Sequence, residues 1–296
     1  AHAYVQPEGT PVSVPISIDS RCSGYQHYAL LSRDVELGRL VGLTAEFTQE
    51  DDLYTTIGRA CDVDRATAKL IVGVVLYGAG PESNLSELIE RTGKTPTEAR
   101  SLAMRLNHAT WRTVGKPAKR IYKSLRERAG QGVMRWQTAD GFNVTQDYRV
   151  TREVSYTVNL TQGRRETFKF IEREPTEVLD IERKYHYVPP GSPFATELRT
   201  RPGEQVKAVA PNFIHAADAT LLRLAVLHGA KLGVRQWAVA HDAFGAHPNY
   251  GSTLARAPRE AARQMYDRDT VSRLLGWDAG ELQAEFTLTF ITDEAG

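Results

Sequence analysis

Asp64-Arg65-Ala66-Thr67-Ala68-Lys69-Leu70-Ile71-Val72-Gly73-Val74-Val75-Leu76-Tyr77-Gly78 is mostly apolar and contains no proline, and Gly78, Gly80 and Pro81 close it. This pattern predicts a helix of about three to four turns with Asp62 or Asp64 as N-cap. Gly73 in its middle should soften it. Arg65 and Lys69 stand four residues apart, so they share a face near the positive end of the helix. Two cations beside a helix N-terminus form a receptor for a polyphosphate. Tyr77 lies at the opposite end, so a phosphate at one end and a ring at the other would measure a nucleotide. Taken alone, the simpler reading is a buried helix whose basic residues snorkel to water. The rest of the chain decides between them.

The 296 residues suffice for one large domain or two small ones with a proper core. Hydrophobic residues make up 41% and charged residues 25%, an ordinary globular balance. A net charge of +1 gives no global pull toward nucleic acid, so such a surface must be local. Two cysteines, Cys22 and Cys61, point to a reducing compartment and against a disulfide scaffold. No apolar run has membrane-spanning length and no signal-peptide pattern is present, so no membrane partner is expected. The chain begins Ala1-His2-Ala3, without methionine, which fits a processed chain or a fragment.

Val14-Pro15-Ile16-Ser17-Ile18 reads as a short strand, followed at once by Asp19, a small-residue turn through Gly24, and a helix over Tyr25–Leu31. A carboxylate at such a turn can bind a hard cation with help from a backbone carbonyl, that of Ser20; a purely structural turn aspartate is the alternative. Residues 44–61 and 81–106 read as helical. From Arg112 to Arg128 the chain is strongly basic, with Lys116, Lys119, Arg120, Lys123 and Arg126 among its cations and Trp111 and Tyr122 interleaved. That run is either a surface tracking a nucleic-acid backbone or a solvated helix face. Met134–Gln146 reads as a hairpin turning at Asp140-Gly141. A second hairpin runs through Val154–Leu160, turns at Gln162-Gly163 and returns over Thr167–Ile171, decorated by Arg164, Arg165 and Lys169. Residues 172–206 read as an exposed loop. Val209–His228 reads as a helix with His215 and Asp218 on one face. Val234–Ala240 reads as a buried strand ending in a second carboxylate, Asp242. A helix at about 258–275 and an apolar stretch, Phe286–Ile291, follow.

Two carboxylates at strand ends, a cationic helix and a basic surface form an inventory sufficient for two-metal phosphoryl transfer. Paired aspartates can hold two Mg²⁺ ions, one activating a hydroxyl and one stabilising a leaving pyrophosphate.

The motifs then become specific. Asp19-Ser20-Arg21-Cys22-Ser23-Gly24-Tyr25-Gln26-His27, Arg65…Lys69…Tyr77-Gly78 and His241-Asp242-Ala243-Phe244-Gly245 resemble, in order and spacing, three motifs of the phage-type single-subunit RNA polymerases, a family that includes the mitochondrial enzymes. Trp136–Tyr148 and Ala210–Asp218 resemble two further family stretches. Five matches in order across nearly the whole chain exceed what any one motif carries.

The resemblance implies an α+β fold. A right-hand polymerase palm, an antiparallel sheet with helices, would take 1–47 and 216–296. Largely helical fingers would take 48–215, with an insertion like the promoter-reading loop at about 150–206. It implies Asp19, Asp242 and the Ser20 carbonyl as ligands of two Mg²⁺ ions, and Arg65 and Lys69 on the incoming triphosphate, Lys69 also protonating the leaving group. Tyr77 would select ribose, His215 would contact the 2′-hydroxyl, Tyr54 would line the nucleotide pocket, and Gly24 would leave room where related DNA polymerases carry a glutamate. Lys116, Lys119, Arg120, Lys123, Arg164 and Arg165 would lie along nucleic acid. The expected partners are DNA template, nascent RNA and NTPs. The family's N-terminal region and thumb are absent from this sequence. The resemblance therefore suggests a second subunit supplying them, in the cytoplasm of a phage-infected bacterium rather than in a mitochondrion. Two other readings compete: a primase or DNA polymerase of the same superfamily, and a catalytically silent nucleic-acid-binding remnant. Mutual repulsion between two facing carboxylates, costly without a metal, weighs against the last.

Overall fold

The structure, a computed structural model, describes residues 14–44, 47, 49–148, 152–159, 165–172, 202–240 and 242–267. The fold is α+β: helices form most of it, and three small antiparallel sheets accompany them. Strands β1 (Ile16–Ile18), β6 (Ala238–Ala240) and β7 (Ala243–Ala246) make one sheet in the order β1-β7-β6. Ile18 stands opposite Phe244, and Val239 flanks Phe244 on the other side. Gly245 is what lets the two outer strands close on the central one. A Cβ there would lie 2.9 Å from the Ala238 carbonyl oxygen, nearer than any real side chain sits.

Helix α1 (Ser23–Ser32) leaves β1 almost at once and is buried from Gly24 to Ser32. Asp34 caps the short helix α2 (Val35–Leu40) through the Leu37 amide at 3.0 Å. A four-helix group follows: α3 (Leu53–Cys61), α4 (Arg65–Val75), α5 (Leu85–Thr92) and α6 (Pro96–Thr113), with α3, α4 and α5 packing on α6. Asp64 caps α4 through the Thr67 amide at 2.7 Å. Helix α4 buries Thr67, Ala68, Ile71, Val72 and Val75, a stripe at helical spacing, and continues through Gly73. A capping box at Thr95 and Glu98 with Pro96 at the first turn starts α6.

Helix α7 (Lys116–Ala129) turns Ala118, Ile121, Leu125 and Ala129 inward. Trp111 and Tyr122 pack against each other at 4.8 Å between ring centres, on the core side, while the cations of this stretch stay outside. Hairpin β2–β3 (Met134–Gln137 and Asn143–Gln146) turns at Asp140-Gly141, and hairpin β4–β5 (Arg152–Asn159 and Arg165–Glu172) pairs Asn159 with Arg165. Helix α8 (Pro202–Lys231) packs on α7 and α9 (Gly251–Met265), and α9 also covers β1 and β7. Pro211 lies inside α8, so the Lys207 carbonyl has no helical donor.

Four sequence expectations need correction. Residues 202–206, expected in a loop, are helical because Gln205 is completely buried and all of its amide is used. It donates to the carbonyls of Gly132 (2.8 Å) and Gln146 (2.9 Å) and accepts from the Tyr148 amide (3.0 Å). The expected buried strand Val234–Ala240 shrinks to the exposed β6, with Val234 buried and Trp237 packed against the core ahead of it, because β6 is the sheet's edge. The last described helix spans Gly251–Met265 rather than starting at about 258; Pro258 lies within it. The helix expected over 44–61 forms from Leu53, where Asp52 caps it. Residues 173–201 and the stretch Phe286–Ile291 lie outside the described residues. Among those described, no helix is long and apolar enough to cross a membrane.

The β2–β3 turn is bolted to α8 by one ion pair. Arg223 Nε and Nη2 donate to the two Asp140 carboxylate oxygens at 2.5 and 3.0 Å. That fork holds the Asp140 carboxyl down to about 2, against an ordinary value near 4. A depressed acid stabilises the fold above its unfolded pKa and loses that contribution as pH falls through the folded one. Arg223→Ala should therefore lower unfolding free energy by about 1–2 kcal/mol at pH 7, discounted for the half-exposed guanidinium. The deficit should shrink as pH falls from about 4 toward 2 in urea titrations.

Candidate active site

Asp19 follows β1, and Asp242 lies in the turn between β6 and β7, so the register that pairs Ile18 with Phe244 brings both carboxylates to one end of the sheet. Asp19 is exposed and Asp242 half-buried. Burial raises the Asp242 pKa, and the negative charges of Asp19 and Asp218 push it the same way, while a Ser23 hydrogen bond opposes. Among the described residues no group of three or more His, Cys, Asp and Glu side chains converges as a metal cage. Two hard carboxylates short of a full ligand set fit Mg²⁺, which keeps waters and takes further oxygens from a phosphate substrate. His241 lies outside the described residues. Ser20, next to Asp19, donates its hydroxyl to Gln26 Oε1 at 2.5 Å, and Gln26 is anchored on the Val41 carbonyl at 2.9 Å.

Beside the carboxylates lies an aromatic pair. Tyr77, just past the end of α4, stacks on the exposed His215 of α8 with ring centres 5.7 Å apart and planes at 26°. Gly24 faces that tyrosine: a Cβ at position 24 would meet Tyr77 Oη at 3.0 Å. The bare backbone of Gly24 thus makes room for the Tyr77 ring. Burial raises the Tyr77 pKa, helped by the charges of Asp218 and Asp242 and opposed by a Ser23 hydrogen bond.

At the cationic end one of the two cations is already engaged. Arg65 lies on Asp52, with Nε at 2.7 Å and Nη2 at 2.6 Å from its Oδ2, and over the Tyr54 ring at 5.3 Å. Asp52 is 5% exposed and also caps α3 through the Thr55 amide at 2.8 Å, so one carboxylate starts a helix and holds a guanidinium. Tyr54 accepts a hydrogen bond from Cys22 Sγ at 2.7 Å. Burial pushes the Cys22 thiol up to about 12, which makes it a packing group and not a nucleophile. Lys69 is exposed, and its charge reaches Cys22. On α7, Lys116, Arg120 and Lys123 are exposed and Lys119 is half-exposed; Arg126 turns back to the Tyr122 hydroxyl at 3.2 Å. Arg164 lies outside the described residues, and of Arg165 only the backbone, in β5, is described.

Three residues that sequence reasoning left out of the site sit at its centre. Ser23 donates to Asp218 Oδ2 at 3.5 Å and lies beside Tyr77 and Asp242. Asp218 Oδ1 is 2.8 Å from His27 Nε2, and His27 Nδ1 meets the Tyr266 hydroxyl at the end of α9. The available signal was that His27 and Asp218 each lie within a quoted motif.

The whole sequence is similar to that of known proteins. It matches the DNA-dependent RNA polymerase family over residues 1–92 and 83–294. The chain belongs to that family. It is 21% identical over 331 residues to T7 RNA polymerase of Escherichia phage T7, covering 86% of this chain and 35% of that one. A probable DNA-directed RNA polymerase of Gelasinospora sp. (strain G114) is 24% identical over 322 residues, covering 88% and 34%. The mitochondrial DNA-directed RNA polymerase of Neurospora crassa is 34% identical over 83 residues, covering 28% and 6%. This polymerase-family chain spans about a third of the length of the phage relatives it matches.

The Asp52–Arg65 contact gives a direct test. Asp52→Asn keeps a capping oxygen but loses the charge pairing of a buried carboxylate, and should cost about 1–3 kcal/mol in urea unfolding at neutral pH. Asp51→Asn, whose pair with Arg59 at 2.9 Å is exposed on both sides, should cost no more than about 1 kcal/mol.

Proposed function

We propose that this chain is the catalytic core of a DNA-directed RNA polymerase, extending an RNA 3′-hydroxyl with ribonucleotides on a DNA template. The observation that carries the reading is the convergence of Asp19 and Asp242 at one sheet end, beside the stacked Tyr77 and His215. In this reading the β1-β7-β6 sheet with α9 and the second half of α8 is the palm (1–47 and 216–296). The four-helix group with α7 belongs to the fingers (48–215), and the β4–β5 hairpin to the insertion at about 150–206.

Asp19, Asp242 and the Ser20 carbonyl would hold two Mg²⁺ ions, which supply the charge that activates the hydroxyl and stabilises pyrophosphate. The protein's own work is positioning. Lys69 meets the triphosphate from the exposed face of α4. Arg65 joins it by exchanging the Asp52 carboxylate for phosphate oxygens, since one planar fork suits both. Lys69 carries the proton suited to the leaving group. Tyr54 walls the pocket. Tyr77, held by Gly24 and His215, turns its hydroxyl to the ribose. A sugar lacking the 2′-hydroxyl leaves a buried polar partner unpaired and is disfavoured. The exposed cations of α7 and those of the β4–β5 hairpin follow template and RNA backbones. In this reading a second polypeptide completes the grip on duplex DNA.

The test is incorporation on a primed single-stranded template with Mg²⁺, by the chain alone and with the protein encoded beside it. Wild type should extend with ribonucleotides. Asp19→Ala and Asp242→Ala should each lower the rate by about a thousandfold or more, the scale of losing a metal's charge stabilisation. Tyr77→Phe should narrow the preference over deoxyribonucleotides. A wild-type chain inert in both settings, or one preferring deoxyribonucleotides, would overturn the reading.

A further inference from the structure

A hydrogen-bonded file runs through the interior to Ser23, beside Asp242. Tyr266, 3% exposed, meets His27 Nδ1, and His27, 2% exposed, places Nε2 at 2.8 Å from Asp218 Oδ1. Nε2 faces a carboxylate, so it carries the proton. The Nε2–H donates to Asp218 Oδ1, and Nδ1 meets the Tyr266 hydroxyl on the other side of the ring. Arg33 fixes its outer end by donating to the Tyr266 carbonyl. With one oxygen so occupied, Asp218 turns the other toward Ser23, whose hydroxyl lies 3.5 Å away. Ser23 also lies beside Tyr77 on the sugar side and Asp242 on the cation side. A hydroxyl has one proton to give and three neighbours that can take it.

We propose that Asp218, clamped by His27, and Ser23 are positioning residues that act as a pair, setting the Ser23 hydroxyl between Tyr77 and Asp242 and so coupling ribose recognition to cation binding. The proposal rests on the polymerase reading, because it gives Asp242 a cation and Tyr77 a sugar. Its logic needs only this chain. Helix α1 carries Ser23 and His27 one turn apart on the same face, α8 carries Asp218 and His215, and the file joins them 191 residues apart in sequence. Neither residue would touch the reacting atoms. Losing either should loosen Asp242 and Tyr77 together, whereas a merely structural pair would alter stability and leave both readouts alone.

The experiment titrates the chain with Mn²⁺ as probe, bound ion counted by electron paramagnetic resonance. It also compares thermal stabilisation by a ribonucleoside triphosphate with that by its deoxy counterpart. Ser23→Ala and Asp218→Asn should each weaken Mn²⁺ binding about tenfold, the scale of losing a group that orients a metal ligand, and each should shrink the ribose preference. The double variant should lose no more than the weaker single one, because the two act as a unit. Ser23→Thr, which keeps the hydroxyl, should restore both readouts. Ser23→Ala at its half-buried position carries the test even where Asp218→Asn does not fold. Wild-type Mn²⁺ affinity in Ser23→Ala, or additive losses in the double variant, would overturn the coupling. Asp242→Ala separates the two levels. If it keeps wild-type Mn²⁺ affinity, the cation-site reading itself falls. If it loses the ion while Ser23→Ala keeps it, only the coupling falls.

Discussion

The antiparallel pairing of β1 with β7 is the contact on which the rest of the molecule depends. It joins residues more than two hundred positions apart, and the helical group, α7, the hairpins and α8 all hang in the intervening chain. Closing so long a loop costs only about 0.6 kcal/mol more per doubling of its length, so the excursion can be large once the ends have a reason to meet. The reason is apolar: Phe244 and Ala246 are buried under α9, and Ile16 packs against the same core. The register matters as much as the attraction. A slip of one residue would turn every side chain of β1 to the other face, and with it the approach of Asp19 to Asp242.

Around that sheet end the protein concentrates acid. The charges of Asp19 and Asp218 both act on Asp242, and of the two cations of α4 Arg65 is already engaged on Asp52. Such an arrangement is expensive for a fold and useful for a cation. The aromatic and thiol groups beside it, Tyr25, Tyr54, Tyr77 and Cys22, are all held in their neutral forms by burial, so they shape the cavity without adding charge. Charge and shape are thus supplied by different residues.

How much of this could be read from the sequence follows from how local each signal is. Asp64 as a cap, the Arg65 helix, the Asp140-Gly141 hairpin and both strand-end aspartates rest on a few neighbouring residues, and the structure carries them. The partners that are far apart in sequence were not legible. Nothing near Gln205 says that a glutamine there will close a hairpin onto a helix. Nothing in Asp52 announces that it will hold Arg65 as well as cap α3. The aromatic residues Trp111 of α6 and Tyr122 of α7, interleaved with cations in sequence, pack on each other and against the core. Ser23, His27 and Asp218 lay inside recognised motifs, but which of their neighbours mattered was decided by the meeting of α1 with α8. The failure at Val234–Ala240 has a topological cause: an apolar run reads as buried, and no composition distinguishes a central strand from an edge.

The two carboxylates stand on segments separated by nearly the whole described chain. In genetic terms, no short stretch of the coding sequence carries the chemistry. A recombination breakpoint anywhere between the codons for Asp19 and Asp242 delivers one aspartate without the other, and neither piece has anything to offer selection. A site assembled across so long a span is inherited whole, and the stretch between its two halves, which carries the stacked Tyr77 and His215, travels with it.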